Sequence, residues 1–101
     1  GSVTPLKIIS CVGNHFQISK IDLLSVRRPS HIVRARHIAC YLIKTLTALS
    51  LPAIGRRMGG KDHTTVLHSV RKIATLIPLD AELRQDLEVL TATCRSPLVM
   101  T

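Results

Sequence analysis

The chain has 101 residues, the size of one domain, and its hydrophobic fraction of 46% is enough to build a core without disulfides or a structural metal ion. Phe16 and Tyr41 are its only aromatic residues, so the core must be made of aliphatic side chains, which suits packed helices. The net charge of +8 and the isoelectric point of about 10.3 favour a polyanionic partner.

The positive charge is concentrated in the middle of the sequence. From Leu23 to Ile77 there are ten basic residues and a single acid, Asp62. The basic residues are Arg27, Arg28, Arg34, Arg36, Lys44, Arg56, Arg57, Lys61, Arg71 and Lys72. The sign reverses over residues 78–90, which hold four acids against Arg84. We therefore expect the middle of the chain to face an anion and the last helix to face away; the alternative is an ordinary solvated basic surface.

The cysteines and the longest apolar run indicate a reduced, intracellular protein that does not span a membrane. Cys11, Cys40 and Cys94 are odd in number, widely spaced and without a CxxC pair, so we expect free thiols, with Cys40 buried. The apolar run over residues 38–54 is interrupted by Lys44 and Pro52, and it is shorter than the about 20 residues that a membrane span needs.

The first predicted elements are two helices of unequal length. Gly1 and Ser2 resemble a cloning scar, so residues 1–4 are expected to be a tag remnant or a disordered start. Pro5 suits a first helical turn, and apolar residues with helical spacing follow it to about Phe16. Ser19 is expected to cap a second, short helix.

A connector and the longest helix follow. Pro29 disfavours a helical conformation at the residue before it, so residues 27–30 are predicted to be a connector with two positive charges. Ser30 is expected to cap a helix over about residues 31–49. Its polar side chains are predicted to lie off the apolar stripe; they are Arg34, Arg36, His37 and Lys44.

Two closely spaced helices are predicted next. Ser50 can cap a short helix that has Pro52 in its first turn and ends near Met58. The pair Gly59-Gly60 predicts a turn, and Asp62 is expected to cap the helix that follows. The apolar residues of this second helix recur at intervals of four, three and four; they are Val66, Val70, Ile73 and Ile77.

The last predicted element is an acidic helix. Pro78 ends the preceding helix, and Asp80 opens a final one with Leu83, Leu87 and Leu90 on its apolar face. The sequence therefore predicts an all-α domain of five to six helices over residues 5–94, followed by a frayed tail over residues 95–101.

Residues 50–77 have the order of a helix-turn-helix: a short helix, a turn containing glycine and an amphipathic second helix. That second helix starts with small hydrogen-bonding residues, Asp62-His63-Thr64-Thr65. In a recognition helix the N-terminal residues reach base edges in the major groove, and threonine can both hydrogen-bond a base and contact a thymine methyl. The alternative is that Thr64 and Thr65 are merely exposed residues beside a cap.

The string GGKDHTTVLH over residues 59–68 resembles the signature of the C-terminal DNA-binding domain of the bacterial replication initiator DnaA, GGRDHTTVLH. Two further landmarks of that family are similar to LLSVRR at residues 23–28 and to SLPAIG at residues 50–55, and the likeness runs from about residue 6 to residue 90. The resemblance implies an all-α helix-turn-helix domain, related in fold to Trp repressor, that binds an asymmetric nine-base-pair element, the DnaA box. It also implies a cytoplasmic, nucleoid-associated protein.

Carried over position by position, the resemblance implies two sets of contacts to double-stranded DNA. Six residues are expected to read bases, with Arg28 in the minor groove and the others in the major groove: Arg28, Pro52, Asp62, His63, Thr64 and Thr65. Seven are expected near the DNA backbone, of which Arg36, Lys44 and His68 match family groups there: Arg27, Arg36, Lys44, Lys61, His68, Arg71 and Lys72. Lys61 stands where the family usually has arginine, so it loses bidentate geometry and is assigned to phosphate. Arg56 and Arg57 are more basic than the familiar family residues and are expected to add non-specific affinity.

Other functions are less well supported. The segment GRRMGGKD at residues 55–62 is close to a phosphate-binding loop, but Asp62 stands where the hydroxyl is needed and no strand precedes it. His63 and His68 are five residues apart, not four, and no catalytic set is evident, so we expect neither an enzyme nor a cofactor nor a metal. The alternatives left open are a stand-alone transcriptional regulator with a different target site and a basic protein-interaction module. We expect one monomer per DNA site, with a regulatory protein as a further partner.

Overall fold

The computed structural model describes residues 2–97, and this part of the chain contains six α-helices, one short 3-10 helix and no β-strand. The α-helices are α1 (Pro5–Phe16), α2 (Lys20–Leu24), α3 (Ser30–Leu46), α4 (Leu51–Arg57), α5 (His63–Leu76) and α6 (Ala81–Arg95). The 3-10 helix, Ile77–Leu79, contains the proline that was predicted to end the preceding helix. The predicted all-α class is confirmed.

Polar side chains cap five of the helices at their N-termini. The side chains of Ser19, Ser50, Asp62 and Asp80 each accept a hydrogen bond from a backbone N–H in the first turn, as the sequence predicts. Thr4 does the same for α1, and Val3 packs against the core, although both were expected to belong to a tag remnant or a disordered start. Gly1 lies outside the described residues.

The bounds of α3 differ from the prediction at both ends. Pro29 occupies the N-cap position without a side-chain hydrogen bond, so Ser30 is the first helical residue and not the cap. The helix ends at Leu46, because the Thr47 hydroxyl donates to the Ile43 carbonyl at 2.6 Å and in turn accepts from the Leu49 N–H at 3.2 Å. Leu49 still packs against the core, so its apolar character misled the prediction into extending the helix.

Helix α3 is the centre of the fold, since it contacts each of the other five α-helices. The side chains packed around it are aliphatic, as the shortage of aromatic residues predicts. The fully buried residues of α3 and of the helices around it include Ile38, Leu42, Ile43, Ile8, Val12, Ile54, Val66, Ile73, Leu83 and Leu90. Arg36 is a correction to the predicted polar face, because it is only 8% exposed.

The remaining sequence expectations concern the C-terminal part, the cysteines and the membrane. The acidic helix α6 packs on α1, α3 and the 3-10 helix. Arg95 is the last residue of α6, and the Ser96 carbonyl accepts a hydrogen bond from the Lys7 side chain at 2.8 Å; residues 98–101 of the predicted tail lie outside the described residues. The three cysteines are free and buried. Within residues 2–97, no helix has both the length and the apolarity needed to cross a membrane.

Candidate nucleic-acid interface

Helices α4 and α5 form a tight helix-turn-helix unit. The Lys61 N–H donates to the Gly55 carbonyl at 2.8 Å, which folds the turn back onto α4. Gly59 and Gly60 have φ angles of +81° and +76°, in the left-handed region that favours glycine. The turn also touches α2, because a Cβ on Gly59 would lie only 2.3 Å from the Leu24 carbonyl oxygen. These contacts determine the direction in which α5 leaves the turn.

The N-terminus of α5 presents a short polar surface. The Asp62 carboxylate accepts hydrogen bonds from the Thr64 N–H at 3.0 Å and from the Thr64 hydroxyl. These bonds, with a smaller contribution from neighbouring His63, hold the pKa of Asp62 below its usual value, so the carboxylate is ionised at neutral pH. His63, Thr64 and Thr65 are all exposed. The Thr65 hydroxyl has no hydrogen bond to any residue in the range 2–97, so it is the free donor and acceptor of this surface.

Exposed basic side chains continue along α5 from this surface. His68, Arg71 and Lys72 are all exposed, one and two turns beyond Thr64. Val66 and Ile73 on the opposite side of the helix are buried. The helix therefore presents one basic polar face and packs the other against the core.

A groove joins the connector before α3 to this face of α5. It has a volume of about 450 Å³ and lies between the connector, α3 and α5. Four of its lining residues carry basic side chains: Arg28, Arg34, His37 and Lys72. The structure thus brings Arg28 and Lys72, both predicted site residues, to the same groove. Arg27 is exposed beside it and pairs with Asp22 at 3.1 Å.

Apart from Arg36, the other predicted contact residues on α3 and α4 are exposed. Pro52 is exposed in the first turn of α4, and Lys44 is exposed in the last turn of α3. Arg56 and Arg57 are exposed in the last turn of α4. These side chains are free to approach a ligand, and none of them is buried in the core.

Arg36 and Lys61 have environments that differ from the phosphate contact expected of them. The buried Arg36 guanidinium donates three hydrogen bonds to backbone carbonyls at the end of α2 and in the connector. The Lys61 ammonium donates to the carbonyls of Leu24 and Met58. A sequence signal for Arg36 existed, because it lies four residues from both Ile32 and Cys40, which are buried on the same helix. The spacing alone did not reveal the acceptors.

Two groove residues were not among the predicted site residues. Arg34 is half-buried and pairs with Asp80 at 3.4 Å. The His37 ring lies edge-on to that of His68, with 6.0 Å between centroids. Burial is the main cause that lowers the pKa of His37, and the positive charges of His68, Arg36 and Lys72 lower it further. One signal in the sequence indicated that basic side chains would lie close together here, namely the shortage of acidic residues between Leu23 and Ile77.

The lowered pKa of His37 predicts that the protein becomes less stable as the pH falls below 6.5. Below this ordinary pKa of a histidine the unfolded chain binds a proton at this residue while the folded chain resists it, so the free energy of unfolding decreases until the folded pKa is passed. Urea unfolding at pH 7.5, 6.5 and 5.5 measures the effect. The variant His37→Gln should lose this part of the pH dependence; equal slopes for both proteins would contradict the assignment.

Comparison with known proteins agrees with this geometry. The chain matches the family model described as "Bacterial dnaA protein helix-turn-helix" over residues 5–73. It is 55% identical over 83 residues to the chromosomal replication initiator protein DnaA of Xanthobacter autotrophicus, a match that covers 82% of this chain and 16% of that protein. The DnaA proteins of Brucella abortus and Nitrobacter hamburgensis are 57% and 54% identical over 79 residues, or 78% of this chain.

The chain thus spans about a sixth of the length of these curated relatives, since the matches cover 16% or 17% of each. The matched family region runs from the start of α1 to residue 73 in α5, so it contains the whole turn between α4 and α5 and the exposed N-terminus of α5. The chain therefore belongs to the bacterial DnaA helix-turn-helix family of DNA-binding domains.

Proposed function

We propose that this domain binds double-stranded DNA at a DnaA-box-like nine-base-pair element, in replication initiation or its regulation. The observation that carries the proposal is the N-terminus of α5, where His63, Thr64 and Thr65 are exposed directly after the Asp62 cap. Residues at this end of a recognition helix reach base edges in the major groove. The basic face of α5 and the groove beside it supply the cations that the phosphate backbone attracts.

Within the proposed major-groove contact, the two threonines have different roles. The Thr64 hydroxyl is already bound to Asp62, so its methyl group is the part free to meet a thymine methyl. The Thr65 hydroxyl is free, so it is the better candidate for a hydrogen bond to a base. Asp62 stays ionised and can accept from the amino group of a cytosine, while His63 and Pro52 contact neighbouring bases.

The proposed minor-groove contact is made by Arg28. It is exposed on the connector and lines the groove that leads to α5, so one DNA strand can pass from Arg28 to the recognition helix. The proposed backbone contacts are the exposed basic side chains around this path: Arg27, Lys44, His68, Arg71 and Lys72. Arg36 and Lys61 are left out of this set because their donors are directed at carbonyls of the protein itself.

The direct test is a titration of the protein into a labelled duplex carrying TTATCCACA and into a scrambled duplex of the same composition, at two salt concentrations. The proposal expects tighter binding to the box at both salt concentrations, with one monomer per duplex. Equal and strongly salt-dependent binding to both duplexes would contradict the proposed target. A domain of the same fold with another target site, or a basic module that docks on an acidic protein, would give that result.

Replacement of Thr65 by alanine should weaken binding to the box by about 1–3 kcal/mol and change binding to the scrambled duplex little, because a base contact is lost. Lys44→Ala is the matched control. It should weaken binding to both duplexes alike and lower the salt slope by about one unit, because a phosphate contact is lost. If the two variants change the preference for the box equally, the assignment of these roles is wrong.

A further inference from the structure

We infer that Arg36 and Lys61 are positioning residues, which hold the minor-groove connector in register with the recognition helix through the backbone of α2. The inference rests on the proposed function, because it concerns how two proposed DNA contacts are kept at a fixed separation. It replaces the expectation that these two cations bind phosphates. The observations that support it are hydrogen bonds, close backbone contacts and burial.

Arg36 ties the end of α2 to the connector. Its Nε donates to the Leu23 carbonyl at 3.0 Å and its Nη2 to the Asp22 carbonyl at 3.2 Å. Its Nη1 donates to the Arg27 carbonyl at 3.1 Å, one peptide before Arg28. A planar guanidinium with fixed donor directions thus holds three carbonyls at set positions, and the last of them belongs to the peptide bond that leads into Arg28.

Lys61 ties the same end of α2 to the helix-turn-helix. Its Nζ donates to the Leu24 carbonyl at 2.7 Å and to the Met58 carbonyl, at the end of α4, at 3.0 Å. Gly59 is packed so closely against the Leu24 carbonyl that a side chain there would clash with it. The one ammonium group therefore bridges α2 and the turn from which α5 starts.

The electrostatics agree with a structural role for both cations. The last carbonyls of a helix have no partner within it and carry partial negative charge, so they attract positive groups. Here Arg36 and Lys61 donate hydrogen bonds to three consecutive carbonyls at the end of α2, those of Asp22, Leu23 and Leu24. Burial lowers the pKa of Lys61, and repulsion from the nearby charge of Arg36 lowers it further. The carbonyls that the two cations bind offset this repulsion.

The functional consequence concerns Arg28. A connector held at Arg27 by Arg36, and continuous with α3 from Ser30, gives Arg28 a limited set of positions relative to α5, so less conformational entropy is lost when both grooves are occupied. A loosened connector would leave the Arg28 side chain intact but would weaken its contribution to affinity. A phosphate contact by Lys61 would behave differently, because its loss would not depend on Arg28.

A double-mutant cycle on the box duplex distinguishes these two roles. Lys61→Met keeps the aliphatic stem and removes the donors; it should weaken binding about fivefold in the wild-type background and less than about twofold in an Arg28→Ala background. Lys61→Arg should restore most of the affinity. In the matched control, Lys44→Met should weaken binding by the same factor in both backgrounds. Equal losses for Lys61→Met in both backgrounds, with the salt slope lowered by about one unit, would overturn the inference.

A measurement without DNA separates this inference from the proposed function. Backbone ¹⁵N relaxation of residues 24–28 should show greater nanosecond mobility in Lys61→Met than in the wild type, and no change in Lys44→Met. If the wild type does not prefer the box duplex, the proposed target is wrong, and the relaxation result alone decides whether Lys61 holds the connector. Unchanged mobility of residues 24–28 would overturn the inference in either case.

Discussion

Replacement of Gly55 by alanine should lower the free energy of unfolding by about 3 kcal/mol or more, a large effect for one methyl group. The added Cβ would lie 2.0 Å from the Lys61 carbonyl oxygen and 3.1 Å from its carbon, and both are backbone atoms that cannot rotate away. The turn would have to move off α4, which would break the hydrogen bond from the Lys61 N–H to the Gly55 carbonyl. Urea unfolding followed by circular dichroism measures the loss.

Gly60→Ala is the matched control for this prediction. Gly60 also lies in the turn, with a φ of +76°, but a Cβ there meets no atom within 4 Å. Its only cost is the left-handed conformation, about 1 kcal/mol. Alanine is favoured over glycine inside a helix by about 1 kcal/mol, so helix propensity alone predicts that Gly55→Ala is the more stable of the two variants. A Gly55→Ala protein as stable as Gly60→Ala would show that the turn does not pack as described.

The second large effect is expected for Arg36→Met, which should lower the free energy of unfolding by about 2–4 kcal/mol. Methionine keeps the apolar stem, but the three charged-donor hydrogen bonds to the carbonyls of Asp22, Leu23 and Arg27 are lost, each worth a net of about 1.5–3 kcal/mol. The variant also no longer buries a charge, and this offsets part of the loss because burial disfavours the charged guanidinium. Equilibrium urea unfolding measures the difference from the wild type.

Arg34→Met, two residues earlier on the same helix, is the control. Its guanidinium is half-buried and makes one 3.4 Å ion pair with Asp80, so its loss should change stability by no more than about 0.5–1 kcal/mol. Similar stability losses for Arg34→Met and Arg36→Met would mean that the hydrogen bonds to the end of α2 contribute little.

The sequence by itself determined the parts of this protein that depend on neighbouring residues. The caps at Ser50 and Asp62 and the turn at Gly59-Gly60 were predictable, because a side-chain oxygen that accepts from the first helical turn and a glycine at positive φ act locally. The periodic apolar residues of α5 likewise predicted which of its faces is buried. The sequence of neighbouring residues was therefore enough to predict the helix-turn-helix and the polar start of its second helix.

Local patterns failed where a residue's partner lies elsewhere in the chain. Leu49 was assigned to α3 because it is apolar, yet Thr47 ends the helix earlier and Leu49 reaches the core from outside it. His37 was placed on the polar face of α3, but folding brings it against His68 of α5 and into the basic groove. For His37 the partner is on another helix, so no signal within one turn of His37 shows this contact.

Only the tertiary structure decided which basic residues face solvent and which hold the fold together. In the sequence, Arg36 and Lys61 belong to the same basic stretch as Arg28 and Lys72, and charge alone does not distinguish them. The difference arises because packing of α2 against α3 and the turn places the carbonyls at the end of α2 beside Arg36 and Lys61, across separations of up to 37 residues. A buried carbonyl must find a donor, and folding determines which cation supplies it.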